Sequence, residues 1–135
     1  MQIKAIANVL PKSMRLKGHR CFDHLYREGR RYHETSILLR VVKADPRLFK
    51  IKNHQSGPQS CRCAIAISSK VNKRAVIRNR LRRLLHQHLI EKLSGVSEHS
   101  NKWLLFSLKP QSSNKKSSQL LNECNRLLLK AGLVL

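Results

Sequence analysis

The segment WLLFSL, at residues 103–108, is apolar at five of its six positions. Side chains of a β-strand alternate between the two faces of a sheet, so a strand of this composition is apolar on both sides. Lys109 and Pro110 follow and end the strand. We therefore predict a central strand that is buried on both faces, in a sheet that other elements must cover.

The rest of the chain supplies the other elements of such a fold. Hydrophobic periodicity predicts helices at residues 19–28, about 73–93 and about 118–131, and strands at residues 35–43 and 62–69. The resulting order α-β-β-α-β-α indicates an α+β sandwich in which helices pack on a small mixed sheet. At 135 residues, we expect one domain, with residues 1–13 as a loosely ordered extension and residues 44–61 as a long loop.

The strand predicted at residues 62–69 differs between its two faces. Bulky side chains occupy one face (Cys63, Ile65 and Ile67), and small side chains occupy the other (Ala64, Ala66 and Ser68). The bulky face suits a core, whereas the small face allows another element or a ligand to approach closely.

The chain is strongly basic. Lys and Arg number 28 against 7 Asp and Glu, which gives a net charge of +21. Because such a charge repels itself, we expect a partner of opposite sign, which could be nucleic acid, an anionic membrane surface or an acidic protein. The sequence has no apolar run of about 18 residues and no secretory signal pattern, so we expect a cytoplasmic protein with no membrane partner.

Residues 70–83, KVNKRAVIRNRLRR, carry seven positive charges and no negative one. We call them the cationic segment. At about 100° per residue, the apolar positions that follow form one buried stripe (Ile77, Leu81, Leu84 and Leu85, with His88), and Arg78, Arg80, Arg82 and Arg83 surround Asn79 on the solvent side. Arginine offers phosphate a planar fork, and asparagine can bond to a sugar hydroxyl or a base edge.

Nucleic-acid binding is the interpretation of this segment that we favour, since neutralising phosphates is the main source of sequence-independent affinity. The alternative is a solvated face that only keeps the protein soluble, but helices of that kind usually alternate positive and negative charges. Charge alone does not distinguish DNA from RNA.

The acids and cysteines argue against a catalytic site in the protein. No carboxylate lies between Asp45 and Glu91, whereas a two-metal nuclease needs clustered acids. Cys61 and Cys63 lack the spacing of common zinc sites, so all four cysteines are interpreted as reduced thiols. We therefore predict no catalytic residue and no metal site. A metal-free nuclease that uses His19 and His24 is the least favoured alternative.

Phe22 and Tyr26 lie one helical turn apart, and Arg15, Arg20 and Arg27 are near them in the sequence. Aromatic rings within a positive groove are a common way to hold single-stranded RNA. The alternative is that both rings belong to the core, because they share a helical stripe with Leu25. Taken alone, the residues favour the core.

The stretch SSKVNKRAVIRNRLRR, at residues 68–83, resembles the Arg-Asn-Arg signature of the bacterial ribonuclease P protein component. Three further features are similar to that family in the same order: LPKSMRL at residues 10–16, the pair Phe22 and Tyr26, and Lys109-Pro110. With KAGL at residues 130–133, the resemblance covers roughly residues 10–133. It implies a single RNA-binding domain with a left-handed β-α-β crossover.

The resemblance also implies a function. In that family an RNA subunit is the catalyst, Mg²⁺ is held mainly by RNA, and the complex removes the 5′ leader of precursor tRNA. The protein alone would be inactive, and no protein partner would be required. An alternative function is a structural ribosomal or other RNA-packaging protein.

The site residues implied by the resemblance form two sets. The set expected to bind the RNA subunit consists of Lys70, Lys73, Arg74, Arg78, Asn79, Arg80, Arg82 and Arg83. The set expected to bind the leader consists of Arg15, Phe22 and Tyr26. For Phe22 and Tyr26, the residues alone favour a position in the core, whereas the resemblance favours binding of the leader.

Overall fold

A computed structural model of the chain describes residues 10–48, 61–93 and 101–133. These residues form three helices and four strands: α1 (His19–Glu28), β1 (Arg30–His33), β2 (Ile37–Lys43), β3 (Arg62–Ala66), α2 (Ala75–Leu93), β4 (Lys102–Leu108) and α3 (Ser117–Lys130). The strands make one mixed sheet in the order β1-β2-β4-β3. Only the β3–β4 pair is parallel, and α2 connects its two strands. The predicted α+β class is confirmed.

The central strand β4 separates two hydrophobic cores. Leu104 and Phe106 pack in the larger core with residues of α2 and α3, whereas Trp103 and Leu105 pack in a smaller core with residues of α1. Because neighbouring strand residues point to opposite faces, α2 and α3 cover one face of the sheet and α1 covers the other. The prediction that this strand is buried on both faces is confirmed.

The predicted difference between the two faces of β3 is also confirmed. Cys63 and Ile65 lie in the larger core, while Ala64 and Ala66 contact the smaller core below α1.

One strand was missing from the predicted order. The sequence RRYH of β1 is short and mostly exposed, so it carries little of the hydrophobic signal that marks a strand. Antiparallel pairing with β2 stabilises it, with Arg31 opposite Arg40 and Tyr32 opposite Leu39. The order is therefore α-β-β-β-α-β-α within the part of the chain that the structure describes.

The segment that precedes α1 lies along the outer edge of β3. Leu10 and Met14 are buried in the larger core, and the backbone N–H of Leu16 donates to the carbonyl of Cys63 at 3.1 Å. The Arg62 guanidinium donates to the carbonyls of Lys12 and Arg15 at 3.0 and 3.1 Å. Residues 10–16 are therefore attached to the sheet, while residues 1–9 of the predicted extension lie outside the described part of the chain.

Of the long loop predicted at residues 44–61, Pro46–Leu48 form a short 3-10 turn. Residues 49–60 lie outside the described ranges. Within those ranges, none of the helices combines the length and the apolar character needed to span a bilayer.

Candidate nucleic-acid interface

A network of hydrogen bonds builds the entrance to α2. The side chain of Asn72 accepts from the backbone N–H of Arg74 at 2.9 Å, which turns the chain into the helix. Arg78, one turn into α2, donates through Nη1 to the carbonyls of Asn72 and Lys73 at 2.9 and 3.0 Å. This guanidinium thereby fixes the loop that carries Lys70 and Lys73, and both of those lysines are exposed.

The solvent side of α2 carries part of the charge that periodicity predicted there. Asn79, Arg80 and Arg83 are exposed, whereas Arg78 and Arg82 are half-buried. The Arg82 guanidinium donates to the side-chain oxygen of Asn79 at 2.7 Å. The amide nitrogen of Asn79 is its remaining side-chain polar group, so Asn79 can present a donor to a ligand.

The opposite side of α2 packs against the larger core through Leu85, Leu89 and Leu93. His88, which was predicted on the buried stripe, is half-buried, and its Nε2 lies 2.7 Å from the side-chain oxygen of Asn125 on α3. The helix is therefore held from one side only, and its cationic side faces solvent.

No ion pair neutralises the cations of α2 within the described residues. The ion pairs there join Asp45 to Arg47 and Glu34 to Arg126 and Lys130, all of them away from α2. The structure thus concentrates positive charge on one outer surface of the molecule, which attracts a polyanion over long range.

The two predicted aromatic residues occupy different positions on α1. Phe22 is half-buried and packs against the smaller core, whereas Tyr26 is 53% exposed. The interpretation that both rings are core residues is therefore wrong for Tyr26. Phe22 lies at the rim of the core, and Tyr26 stands beside it with a ring that a ligand can reach.

Arg40 of β2 completes this second surface, and the sequence analysis did not identify it. Its guanidinium carbon lies 4.6 Å from the centre of the Tyr26 ring, which is a cation–π geometry. Its Nε is buried and has no hydrogen-bond partner within the described structure. In the sequence, Arg40 is recognisable only as a charge inside the apolar strand ILLRVVK. The strand register, which pairs Arg40 with Leu105, is needed to show that its side chain faces α1.

Arg15 lies away from the other two residues of the predicted leader set. It neighbours Cys63 at the outer edge of β3, and its Nη2 donates to the carbonyl of Leu10 at 2.9 Å. Tyr26 lies over β2, and β4 separates β2 from β3. The structure therefore brings Phe22 and Tyr26 together and places Arg15 beside the edge strand β3, on the other side of β4.

The cysteines do not form a reactive site. All four are buried, and none of them forms a disulfide. Burial raises the pKa of the Cys61 and Cys124 thiols to about 12, so both remain protonated near neutral pH. In the described ranges, no group of three histidine, cysteine or acidic residues could hold a metal ion.

The fold and its cationic surface define a small, basic α+β protein of the nucleic-acid-binding class. Sequence comparison then gives the family, since the family described as Ribonuclease P matches residues 10–132. The ribonuclease P protein component of Prochlorococcus marinus (strain MIT 9313) is 56% identical over 126 residues, covering 93% of this chain and 98% of that protein. The chain belongs to the ribonuclease P protein family.

Another relative agrees with this assignment, and two solved structures share the fold of the chain. The ribonuclease P protein component of Parasynechococcus marenigrum (strain WH8102) is 53% identical over 124 residues, covering 92% of this chain and 97% of that protein. The Staphylococcus aureus RNase P protein has a TM-score of 0.71 at 17% identity, over 92% of this chain and all of that one. The Thermotoga maritima RNase P protein has a TM-score of 0.63 at 16% identity, over 84% and 94%. These two structures share the fold.

Proposed function

We propose that this chain is the protein subunit of ribonuclease P and works in the cytoplasm. It binds the catalytic RNA subunit and the 5′ leader of precursor tRNA, and so promotes endonucleolytic removal of the leader and maturation of the tRNA 5′ end. Membership of the family is the observation that carries this proposal. The cationic surface of α2, which no acid neutralises within the described residues, supplies a physical basis for it.

The entrance and solvent side of α2 are proposed to contact the RNA subunit, with a division of labour among the residues. Lys70, Lys73, Arg74, Arg80 and Arg83 are exposed and present charge to phosphates. Arg78 and Arg82 bond within the protein and fix the loop and Asn79 in position. The arrangement suits a structured RNA whose phosphates lie at fixed spacings.

The surface formed by Phe22, Tyr26 and Arg40 is proposed to hold the leader. The Tyr26 ring can stack on an unpaired base, and the Arg40 guanidinium stacks on that ring. Arg31 pairs with Arg40 across the β1–β2 ladder and adds a second positive charge on the same sheet face. Single-stranded RNA is commonly recognised by this combination of ring and cation.

The RNA subunit is proposed to be the catalyst, and the protein alone is proposed to be inactive. Asp45 is bound by Arg47, Glu34 is bound by Arg126 and Lys130, and Glu123 is buried and accepts a hydrogen bond from the N–H of Ser36. Across the described parts of the chain, no group of three histidine, cysteine or acidic residues could hold a metal ion, so these residues do not fit a site for a pair of catalytic Mg²⁺ ions. We accordingly assign Mg²⁺ mainly to the RNA.

The test is to recover the tagged chain from its own cells, sequence the RNA that comes with it, and assay that material on precursor tRNA. We expect one structured RNA to dominate and the complex to release the leader. The purified chain alone should cleave nothing. Dominant ribosomal RNA that resists a salt wash would instead support a structural ribosomal protein and contradict the proposal.

A further inference from the structure

Three nitrogen-bearing side chains lie in the region where residues 10–16 pack against the same core as α2. Arg82 and His86 lie four residues apart and therefore on one face of the helix. Leu10 and Met14 belong to the same hydrophobic core as Leu85 of α2, so residues 10–16 lie against this helix. From there the charge of Arg15 acts on His86, as the charge of Arg82 does. Both guanidinium groups are held, Arg15 by the carbonyl of Leu10 and Arg82 by the side chain of Asn79. The positions of these two guanidinium groups are therefore set by the folded protein before any ligand binds.

His86 is uncharged in this setting near neutral pH. It is half-buried, and burial together with the charges of Arg82 and Arg15 lowers its pKa from 6.5 to about 4. Among the described residues, the charges that act on this pKa are the two cationic ones. The neighbouring β3 provides Arg62, which bonds to carbonyls of residues 10–16, and α3 provides Arg126 and Lys130, which pair with Glu34.

We propose that Arg15, Arg82 and His86 form a binding site for one backbone phosphate of the RNA subunit, and that His86 takes up a proton when the phosphate binds at mildly acidic pH. This inference rests on the function proposed above. His86 lies one turn from Arg82 along α2, so an anion bound by Arg82 and Arg15 would lie within the electrostatic reach of its ring. Residues 10–16 and α2 would thus bind the same RNA strand.

The proton comes from the solvent and bonds to the free ring nitrogen, which turns a neutral imidazole into an imidazolium that donates to phosphate oxygen. The phosphate supplies the negative charge that the free protein lacks at this position. Its binding therefore reverses the effect of the two arginines on His86. A group that gains a proton on binding makes the affinity rise as the pH falls.

The size of the effect follows from the change in protonation. If the phosphate returns His86 to its ordinary pKa of 6.5, the affinity for RNA increases about tenfold from about pH 7.5 to about pH 5.5. Below about pH 4 the free protein is protonated as well, and the dependence disappears.

The experiment is isothermal titration calorimetry of the full chain with the transcribed RNA subunit from its own genome, at about pH 5.5 and at about pH 7.5, in buffers of different ionisation heat. Comparing the buffers gives the number of protons taken up. His86→Gln removes the titrating group, His86→Arg replaces it with a permanent charge, and His88→Gln is the matched control on the same helix. Circular dichroism verifies that each variant is folded.

We expect His86→Gln to lose the increase in RNA affinity, about tenfold, between about pH 7.5 and about pH 5.5, together with the associated proton uptake. His88→Gln should retain both. His86→Arg should bind at about pH 7.5 at least as tightly as the wild type, without proton uptake at this position. If proton uptake is the same with and without His86, or if His86→Arg binds more weakly than His86→Gln, the inference is overturned. A wild-type chain that does not bind the RNA subunit would overturn the proposed function itself.

Discussion

The two candidate RNA surfaces of this protein differ in how they are built. The α2 surface is an array of cations with no aromatic ring, and its inner residues are fixed by hydrogen bonds to the protein. The α1 surface consists of one exposed ring, one half-buried ring and a guanidinium that stacks on the exposed ring. The first is suited to phosphates of a folded RNA, and the second to bases of a flexible strand. The comparison teaches that one small protein can assign phosphate binding to one helix, α2, and base stacking to another, α1.

The largest expected effect comes from removing charge from α2. Arg80→Ala combined with Arg83→Ala should reduce affinity for the RNA subunit about 100-fold at physiological salt, because two phosphate contacts are lost. The slope of log affinity against log salt should decrease by about 2. Filter binding across a salt series measures both quantities.

The matched control removes two exposed or half-exposed cations elsewhere, by Lys43→Ala combined with Lys115→Ala. It causes the same change in net charge and should change the affinity far less. An equal loss from both double variants would mean that net charge, and not the α2 surface, controls binding.

The next effect concerns the ring of Tyr26. Tyr26→Ala should weaken binding of precursor tRNA to the assembled complex about tenfold, since a stacked base contributes on the order of 1–3 kcal/mol. Tyr26→Phe keeps the ring and should bind nearly as well as the wild type. The readout is the affinity for precursor tRNA relative to mature tRNA, which has no leader.

Affinity for the RNA subunit should be the same in Tyr26→Ala as in the wild type. A loss of similar size for both RNAs would contradict the separation of the two surfaces.

A smaller effect distinguishes residues of α2 that stabilise the fold through hydrogen bonds from residues that are only exposed to solvent. Arg78→Ala should lower the free energy of unfolding by about 1 kcal/mol, because two carbonyls lose a charged donor. Arg80→Ala, at an exposed position two residues further along the helix, should leave stability unchanged within error. Urea unfolding of the free protein is the measurement, and equal stabilities would show that Arg78 does not fix the loop.

The smallest effect tests how the β1–β2 hairpin is attached to α3. The hydrogen bond from Lys130, and then Arg126, holds the pKa of Glu34 below its ordinary value of 4.5. A depressed folded-state pKa gives stability that is present above the ordinary value and is lost as the pH falls through the folded value. Since both cationic partners are about half exposed, we expect less than about 1 kcal/mol.

Urea unfolding of wild type and Glu34→Gln, followed from neutral pH to below the ordinary carboxyl pKa, measures this contribution. The two stabilities should converge as the pH falls. A difference that persists at low pH would mean that Glu34 acts through packing and not through its charge.

Local sequence patterns predicted most of the fold. The bounds of α1 agree with the prediction, and Gly132 ends α3 with φ of 73°, a left-handed conformation that glycine adopts readily. The start of α2 was predicted two residues too early, because the hydrogen bonds of Asn72 and Arg78 that organise its entrance have no periodic signature. The strand β1 was missed because it is stabilised by its pairing with β2 and contains little apolar sequence.

The candidate sites were predictable to different extents. The charges of α2 follow from helical periodicity, which is a local property, and the exposed residues lie where the sequence placed them. The contact between Tyr26 and Arg40 depends on how α1 packs on a particular strand register, and no local pattern specifies it. The proximity of Arg15 to His86 is likewise a consequence of residues 10–16 lying along β3.

The hydrogen bonds that hold Arg15, Arg78 and Arg82 have a consequence for the thermodynamics of assembly. A long cationic side chain that becomes ordered only on binding loses about 0.5–1.5 kcal/mol of conformational entropy at that moment. These three guanidinium groups are already restrained in the isolated protein, so much of that loss has occurred during folding. These three arginines should therefore associate with RNA at a smaller entropic cost than the exposed Lys70 and Lys73.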